Sequence, residues 1–247
     1  GILVNRYLAG VLVFCIVGMG SLAVTKAPEY LRQFDFFRAK TYQVLGNQYL
    51  KDEMILEILS FSSETSVLDD FSWVEILLEQ HEMILEASVD RNWWTATVSL
   101  TVEEKIPLAL IAEPLLVPVD REGHILPLDP GQHRLNLPLI RVTGDSQGSS
   151  EELQIKAMAL ELERLGSNNP LFTDGLSEIS IDKDGNAEAT LERDVVFRFR
   201  PPLQNQRLNA GLAALEDLKS RKTVDTGIVI DLRFEDQVVV SYEEGIQ

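Results

Sequence analysis

The chain has 247 residues, of which 45% are hydrophobic and 25% are charged, and its formal net charge is −17. One large or two small folded domains fit this length and composition, whereas the acidic charge argues against binding to nucleic acid or to anionic lipid. The single cysteine, Cys15, excludes an intramolecular disulfide and a thiolate metal site.

Residues 7–24, YLAGVLVFCIVGMGSLAV, contain no charge. As an α-helix this run would be about 27 Å long, close to the hydrocarbon thickness of a bilayer. We therefore predict a transmembrane helix, although a cleaved signal peptide stays open because Ser21-Leu22-Ala23 is a small-residue cleavage pattern. Both alternatives place the rest of the chain across the membrane. The membrane-embedded residues are predicted to include Tyr7, Gly10, Phe14, Gly18, Gly20 and Val24.

The next region predicts a connector followed by a small α+β domain. The spacing of apolar residues predicts a strand at 38–45, helices at 51–59 and 73–80, and strands at 84–91 and 95–105. Ser72 and Glu75 fit a capping box at the start of the second helix. The order β-α-α-β-β predicts a small sheet with helices on one face.

The remainder predicts a second domain, mainly antiparallel β with flanking helices. Two tight turns contain glycine, at 121–123 and 182–186. Apolar periodicity predicts helices at 149–165 and 208–218, and two final strands at 228–234 and 238–242.

Two stretches carry more specific patterns. Residues 86–109 contain A-x-V-x-R-x-W followed by V-x-E-x-x-P-x-A, and residues 231–234 read D-L-R-F before an apolar strand. Both resemble the FtsQ/DivIB family of bacterial cell-division proteins, whose second motif usually reads D-L-R-Y. Trp94 departs from the family, which usually has proline there. The matching residues of the first stretch are Ala87, Val89, Arg91, Trp93, Val102, Glu104, Pro107 and Ala109.

The resemblance implies an α+β layout with an anchor segment at 1–26, a connector and POTRA domain at 27–106, and a C-terminal β-domain at 107–247. It implies a non-catalytic scaffold of the divisome, the septation machinery. Such a protein is a single-pass component of the cytoplasmic (inner) membrane at the division septum, with its bulk extracytoplasmic. The implied partners are FtsB/DivIC-like and FtsL-like single-span coiled-coil proteins, with FtsW/FtsI-type septal synthases as further contacts.

The final strand is predicted to be a sheet edge with unpaired backbone groups. The residues alone leave two alternatives: a partner adds a strand to this edge, or Glu243 and Glu244 protect it against association. The family resemblance implies strand addition, with Phe234 and Tyr242 as aromatic anchors. The predicted partner-binding residues are Arg233, Phe234, Glu235, Asp236, Gln237, Val238, Val239, Val240, Ser241 and Tyr242.

No catalytic residue, metal site or cofactor is predicted. The histidines, His81, His124 and His133, lack a regular spacing to carboxylates that would indicate zinc. Residues 182–186 resemble the start of a calcium loop, but the later EF-hand positions do not match. An alternative function is an exported POTRA-containing chaperone or transport component that binds extended clients. An extracytoplasmic hydrolase would need a nucleophile and a base, and no motif supplies them.

Overall fold

The computed structural model describes residues 35–62, 64–112, 115–143, 149–191, 195–221 and 227–242. The chain divides into two compact units, with the boundary between Glu104 and Lys105. The predicted transmembrane residues 7–24 lie outside the described ranges. Among the helices that are described, each is too short or too polar to cross a membrane.

The first unit is a three-stranded sheet with two short helices. A 3₁₀ turn at Asp35–Phe37 precedes the sheet, whose strand order is β1-β3-β2. Strand β1 is parallel to β3, and β2 is antiparallel to β3. This arrangement confirms the predicted order β-α-α-β-β. The elements are β1 (Thr41–Leu45), α1 (Asp52–Leu59), α2 (Ser72–Glu79), β2 (Ile84–Asn92) and β3 (Thr97–Glu104).

The core of the first unit follows the alternation of β3. Val98, Leu100 and Val102 are buried, and so are Ile55 and Leu59 of α1 and Val74 and Leu78 of α2. Each helix therefore buries one stripe of its surface.

The predicted capping box at the start of α2 is wrong. The backbone N–H of Ser72 donates to the carboxylate of Asp70 at 3.0 Å. Glu75 instead accepts from the backbone of Val89 in β2, at 3.1 Å. The carboxylate thus joins helix to sheet and does not close the helix terminus.

The second unit contains one eight-stranded sheet, in the order β11-β10-β9-β8-β7-β6-β4-β5. The described elements are β4 (Ala109–Ala112), β5 (Leu116–Val119), α3 (Pro130–His133), β6 (Leu139–Val142), α4 (Ser149–Asn168), α5 (Pro170–Asp174), β7 (Leu176–Ile181), β8 (Ala187–Leu191), β9 (Val195–Phe199), α6 (Asn205–Ser220), β10 (Ile228–Asp231) and β11 (Val239–Tyr242).

The domain was predicted to be mainly antiparallel; four of the seven neighbouring pairs in the sheet are antiparallel and three are parallel, so the sheet is mixed. The pairs β4–β6, β6–β7 and β9–β10 are parallel, and the other neighbours in the sheet are antiparallel. Helix α4 connects β6 to β7, and α6 connects β9 to β10. A crossover helix returns the chain to the starting end of the sheet, so the next strand runs parallel. The predicted α+β class is confirmed.

One apolar cluster holds the second unit together. Met158, Leu162 and Leu165 of α4 belong to it, with Leu208 and Leu215 of α6. Phe172 and Phe197 form its aromatic centre, edge to face with ring centroids 5.4 Å apart. Large buried aromatic rings of this kind contribute much of a core's apolar area.

Candidate functional site

The predicted partner-binding region ends in β11, which lies at one end of the eight-stranded sheet. β11 pairs antiparallel with β10, with Asp231 opposite Val239 and Ile228 opposite Tyr242. On its other side, β10 pairs in parallel with β9. Within the described ranges no strand lies beyond β11, so its outer side is an open edge.

The direction of the backbone groups in β10 follows from one bond at its end. The N–H of Leu232 donates to the carbonyl of Arg198 in β9, at 2.7 Å. Successive strand residues direct their backbone groups to alternate sides, so Asp231 faces β11. Val239 lies opposite Asp231, and its backbone groups therefore bond inward, to β10.

The same alternation continues along β11. Ser241 bonds inward like Val239, so Val240 and Tyr242 direct their N–H and C=O groups to the open side. The side chains of Val239 and Tyr242 are 37% and 49% exposed. Val238 and Val240 are half-buried against the core cluster. β11 is therefore fixed to the unit on one side while its outer edge stays accessible.

The segment between the two strands is a loop, which corrects the predicted strand at 228–234. The carboxylate of Asp231 accepts from the backbone N–H of Arg233 at 3.0 Å and from its Nη2 at 2.6 Å. This bonding turns the chain out of β10 after Asp231. Phe234, one of the two implied aromatic anchors, lies in this loop and is 46% exposed.

The ion pair of Asp231 and Arg233 affects both groups. Burial would raise the pKa of Asp231, but hydrogen bonds from Arg233 and the charges of Arg233 and Arg198 outweigh it and lower that pKa. Hydrogen bonding to Asp231 raises the pKa of Arg233. The guanidinium of Arg233, predicted to bind a partner, is therefore engaged within the chain.

Arg207 of α6 holds the loop, and the sequence analysis missed it. Its guanidinium donates to the carbonyl oxygens of Leu232 at 2.9 Å and Gln237 at 3.1 Å. It also donates to those of Phe234 and Glu235. Because these acceptors are backbone atoms, no residue pattern in the loop signals them. The loop is thereby ordered, and its side chains from Arg233 to Gln237 are exposed.

A groove of about 290 Å³ lies beside this loop. Arg200, Arg207 and Arg233 line it, together with Leu203, Leu232 and Glu235. The Nε atom of Arg200 donates to Asn186 at 3.2 Å. Three arginines thus line one groove in a chain whose net charge is −17.

The opposite end of the sheet is covered by the chain itself. Pro118 of β5 has no N–H to offer, and its carbonyl accepts from Leu126 at 2.8 Å. The N–H of Asp120 donates to the carbonyl of His124 at 3.0 Å. Residues 124–126 therefore occupy part of the outer side of β5, in contrast to β11.

In the first unit, β2 is an edge strand, and two of its outer N–H groups are occupied. The N–H of Val89 donates to Glu75 at 3.1 Å, and that of Ala87 donates to Glu79 at 3.3 Å. Both carboxylates come from α2. This side of the small sheet is less available to a further strand than β11.

The first motif stretch has structural roles in this unit. The carboxylate of Glu104 is buried and accepts from the N–H groups of Gln48, Tyr49 and Leu50. The side chain of Arg91 donates to the carbonyl of Asp69 at 2.7 Å and lies 6.0 Å from the ring centroid of Phe71. These residues fix the turns around the sheet.

Asp120, Glu122 and His124 are close enough to hold a metal ion, with ligand atoms within 4.8 Å of one another. However, Oδ1 of Asp120 already accepts from the N–H groups of Glu122 and His124. Asp182 makes the same two bonds in the turn at 182–186, to residues 184 and 186. The repeated geometry indicates that Asp120 serves the turn.

Comparison with known proteins bears on the two motif stretches. No protein-family model matches the chain. A curated relative, "Cell division protein FtsQ" from Syntrophotalea carbinolica, is 25% identical over 244 residues. The alignment covers 96% of this chain and 85% of the relative. The similarity therefore extends well beyond the short motifs and includes both units.

Proposed function

We propose, on the premise that this chain is a homologue of the FtsQ/DivIB cell-division proteins, that it is a non-catalytic scaffold of the divisome. It binds a partner by β-strand addition at the outer side of β11. The observation that carries this proposal is the open edge at the end of the eight-stranded sheet. An extended segment of a partner would become the next strand of the sheet.

The edge offers both backbone and side-chain recognition. The outward N–H and C=O groups of Val240 and Tyr242 supply main-chain hydrogen bonds, which give affinity in strand addition. The exposed rings of Phe234 and Tyr242 supply apolar anchors at the two ends of the segment. Glu235 and Asp236 lie between them and favour basic residues on the partner.

Pre-organisation supports the same surface. Arg207 fixes the loop through four carbonyl groups before any partner arrives. The binding surface then loses little conformational freedom on association, which favours affinity. The edge at β11 contrasts with those at β5 and β2, whose outer groups are partly satisfied within the chain.

The partners and location follow from the family. FtsB/DivIC-like and FtsL-like single-span proteins are the proposed ligands of β11, and FtsW/FtsI-type synthases are proposed as further contacts. The uncharged run 7–24 is proposed to hold the chain in the cytoplasmic membrane, with both units on the extracytoplasmic side. Residues 27–106 and 107–247 are proposed as the POTRA domain and the β-domain.

Proline substitution at two adjacent positions tests the docking edge. Val240→Pro removes an outward N–H and leaves the β10–β11 pair intact, whereas Val239→Pro removes an inward one. Val240→Ala is the matched control, because it shortens the side chain and keeps the N–H. We expect Val240→Pro to remain folded and to bind an FtsB/DivIC-like partner at least about tenfold more weakly.

The measurement is affinity capture from cross-linked cells, with the partner identified by mass spectrometry and its affinity then measured with purified proteins. Equal affinity of Val240→Pro and Val240→Ala would refute docking at β11. Depletion of the protein tests the division role separately: normal septation in depleted cells would refute that role whatever the edge binds.

A further inference from the structure

All three tryptophans of the chain lie in the first unit, and none of them is buried. Trp73 is 45% exposed, Trp93 54% and Trp94 78%. Tryptophan is among the residues that folded proteins bury most on average. Its concentration on the surface of one small unit therefore calls for something that covers it.

Trp93 and Trp94 share the turn between β2 and β3, and that turn is well ordered by its own bonds. The side-chain oxygen of Asn92 accepts from the N–H of Trp94 at 3.0 Å and from that of Thr95 at 3.2 Å. The two indole rings lie with their centroids 5.7 Å apart. Because the turn is already ordered, little further conformational entropy is lost when the two indole rings bind a surface.

The chain enters the first unit beside this turn. The N–H of Lys40 donates to the carbonyl of Ala96 at 2.8 Å. Strand β1 then runs parallel to β3, starting with Thr41 opposite Thr97. The tryptophan pair therefore lies at the end of the unit where the preceding part of the sequence connects.

Residues 25–34 link the uncharged run 7–24 to Asp35, which lies five residues before Lys40. These ten residues would extend to about 35 Å at most, or to about 15 Å as a helix. If the run 7–24 is in the membrane, as we propose above, residues 25–34 keep Asp35 within about 35 Å of the lipid surface.

We propose that Trp93 and Trp94 insert into the interfacial layer of that membrane and form a second attachment point for the first unit. Indole rings favour this layer because the ring is apolar and its N–H bonds to headgroups or water.

The charges beside the turn nearly cancel. Asp90 and Arg91 precede the turn and offset each other, and Lys40 lies on the neighbouring segment. The chain as a whole is acidic, with a net charge of −17. Insertion therefore depends on the two rings and needs no anionic lipid.

The test uses the full chain reconstituted in phosphatidylcholine vesicles, with and without lipid brominated near the headgroup end of its acyl chains. Bromine quenches tryptophan only at close contact. Trp73→Phe keeps the turn pair as the fluorophores, and the double variant Trp93→Phe with Trp94→Phe keeps only Trp73. We expect brominated lipid to cause a clear loss of fluorescence in Trp73→Phe and a smaller loss in the double variant.

Three outcomes would overturn the proposal. If the protein floats with the vesicles but brominated lipid does not quench the fluorescence of Trp73→Phe, the turn does not contact lipid. The proposed scaffold function is then unaffected. Stronger quenching of Trp73 than of the pair would assign membrane contact to α2 instead. Failure of the chain to float with vesicles would refute membrane attachment itself, while partner binding at β11 could still be measured in solution.

Discussion

Oε1 of Glu104 lies 2.9 Å from the backbone nitrogen of Leu50, 54 residues earlier in the chain. Glu104→Ala leaves this N–H and those of Gln48 and Tyr49 without their acceptor. We expect the free energy of unfolding of the first unit to fall by about 2–4 kcal/mol. Urea unfolding followed by tryptophan fluorescence measures it. As a control, Glu103→Ala at the exposed neighbouring position should lower the free energy of unfolding by about 0.5 kcal/mol or less. Equal losses in the two variants would contradict the role assigned to Glu104.

Arg207→Lys should loosen the loop before β11. Lysine keeps the charge, but a single ammonium cannot donate to four carbonyls arranged around a planar guanidinium. We expect amide hydrogen exchange in residues 232–242 to accelerate about tenfold, measured by mass spectrometry. Arg221→Lys is the control, since Arg221 pairs with Asp217 on the exposed surface. Unchanged protection in Arg207→Lys would exclude the proposed ordering.

Stability should depend on pH through Asp231. Its pKa is lowered in the folded state: burial opposes the shift, but the bonds and charge of Arg233 prevail. A lowered folded-state pKa contributes stability above the unfolded value, about 3.9, and that stability is lost as pH falls through the folded value. The stability difference between the wild type and Asp231→Asn should therefore be largest near neutral pH and shrink below about pH 4. Chemical denaturation at several pH values would reveal a constant difference if the ion pair contributed nothing.

Removing both carboxylates that cover β2 should open that edge. In Glu75→Ala with Glu79→Ala, the N–H groups of Val89 and Ala87 lose their acceptors. We expect these two amides to exchange faster and the first unit to lose about 1–3 kcal/mol. Glu86→Ala, an exposed change on the same strand, is the control. NMR measures amide exchange at each site. Unaltered exchange at both amides would show that α2 does not protect the edge.

The two glycine turns of the second unit should respond differently to alanine. Gly123 and Gly185 have nearly the same φ, +78° and +79°. A Cβ at Gly123 would lie 2.8 Å from the Cα of Lys156, whereas one at Gly185 would meet nothing within 4 Å. Gly185→Ala should cost about 1 kcal/mol from the backbone conformation alone, and Gly123→Ala about 2–4 kcal/mol. Calorimetry that gave equal costs would exclude close packing of the turn on α4.

The order of elements in the first unit could be predicted because its strands alternate and its helices are amphipathic. The side chains of Val98, Leu100 and Val102 carry that pattern directly. The role of Glu75 could not be predicted, because S-x-x-E is a local pattern and the true acceptor contact joins α2 to β2. Local sequence does not record which strand a helix will cover.

The pairing of strands in the second unit could not be predicted from the sequence either. A strand such as β10 has the same apolar pattern whether its neighbour is parallel or antiparallel. The mixed strand order could therefore be recognised only in the structure. The position of the final strand was predicted within one residue at its start. The preceding loop was not, because Asp231 and Arg233 end β10 by a side-chain interaction that alternation does not reveal.

The attachment of β11 along one side only has a mechanical consequence. A partner that pulls parallel to the strand loads the backbone hydrogen bonds between β10 and β11 together, in shear. A partner that pulls across the sheet loads them one after another, beginning at the end near Tyr242, which lies opposite the loop that joins the two strands. The strand therefore resists tension along its axis far better than peeling, and the direction of load decides how firmly a docked partner is held.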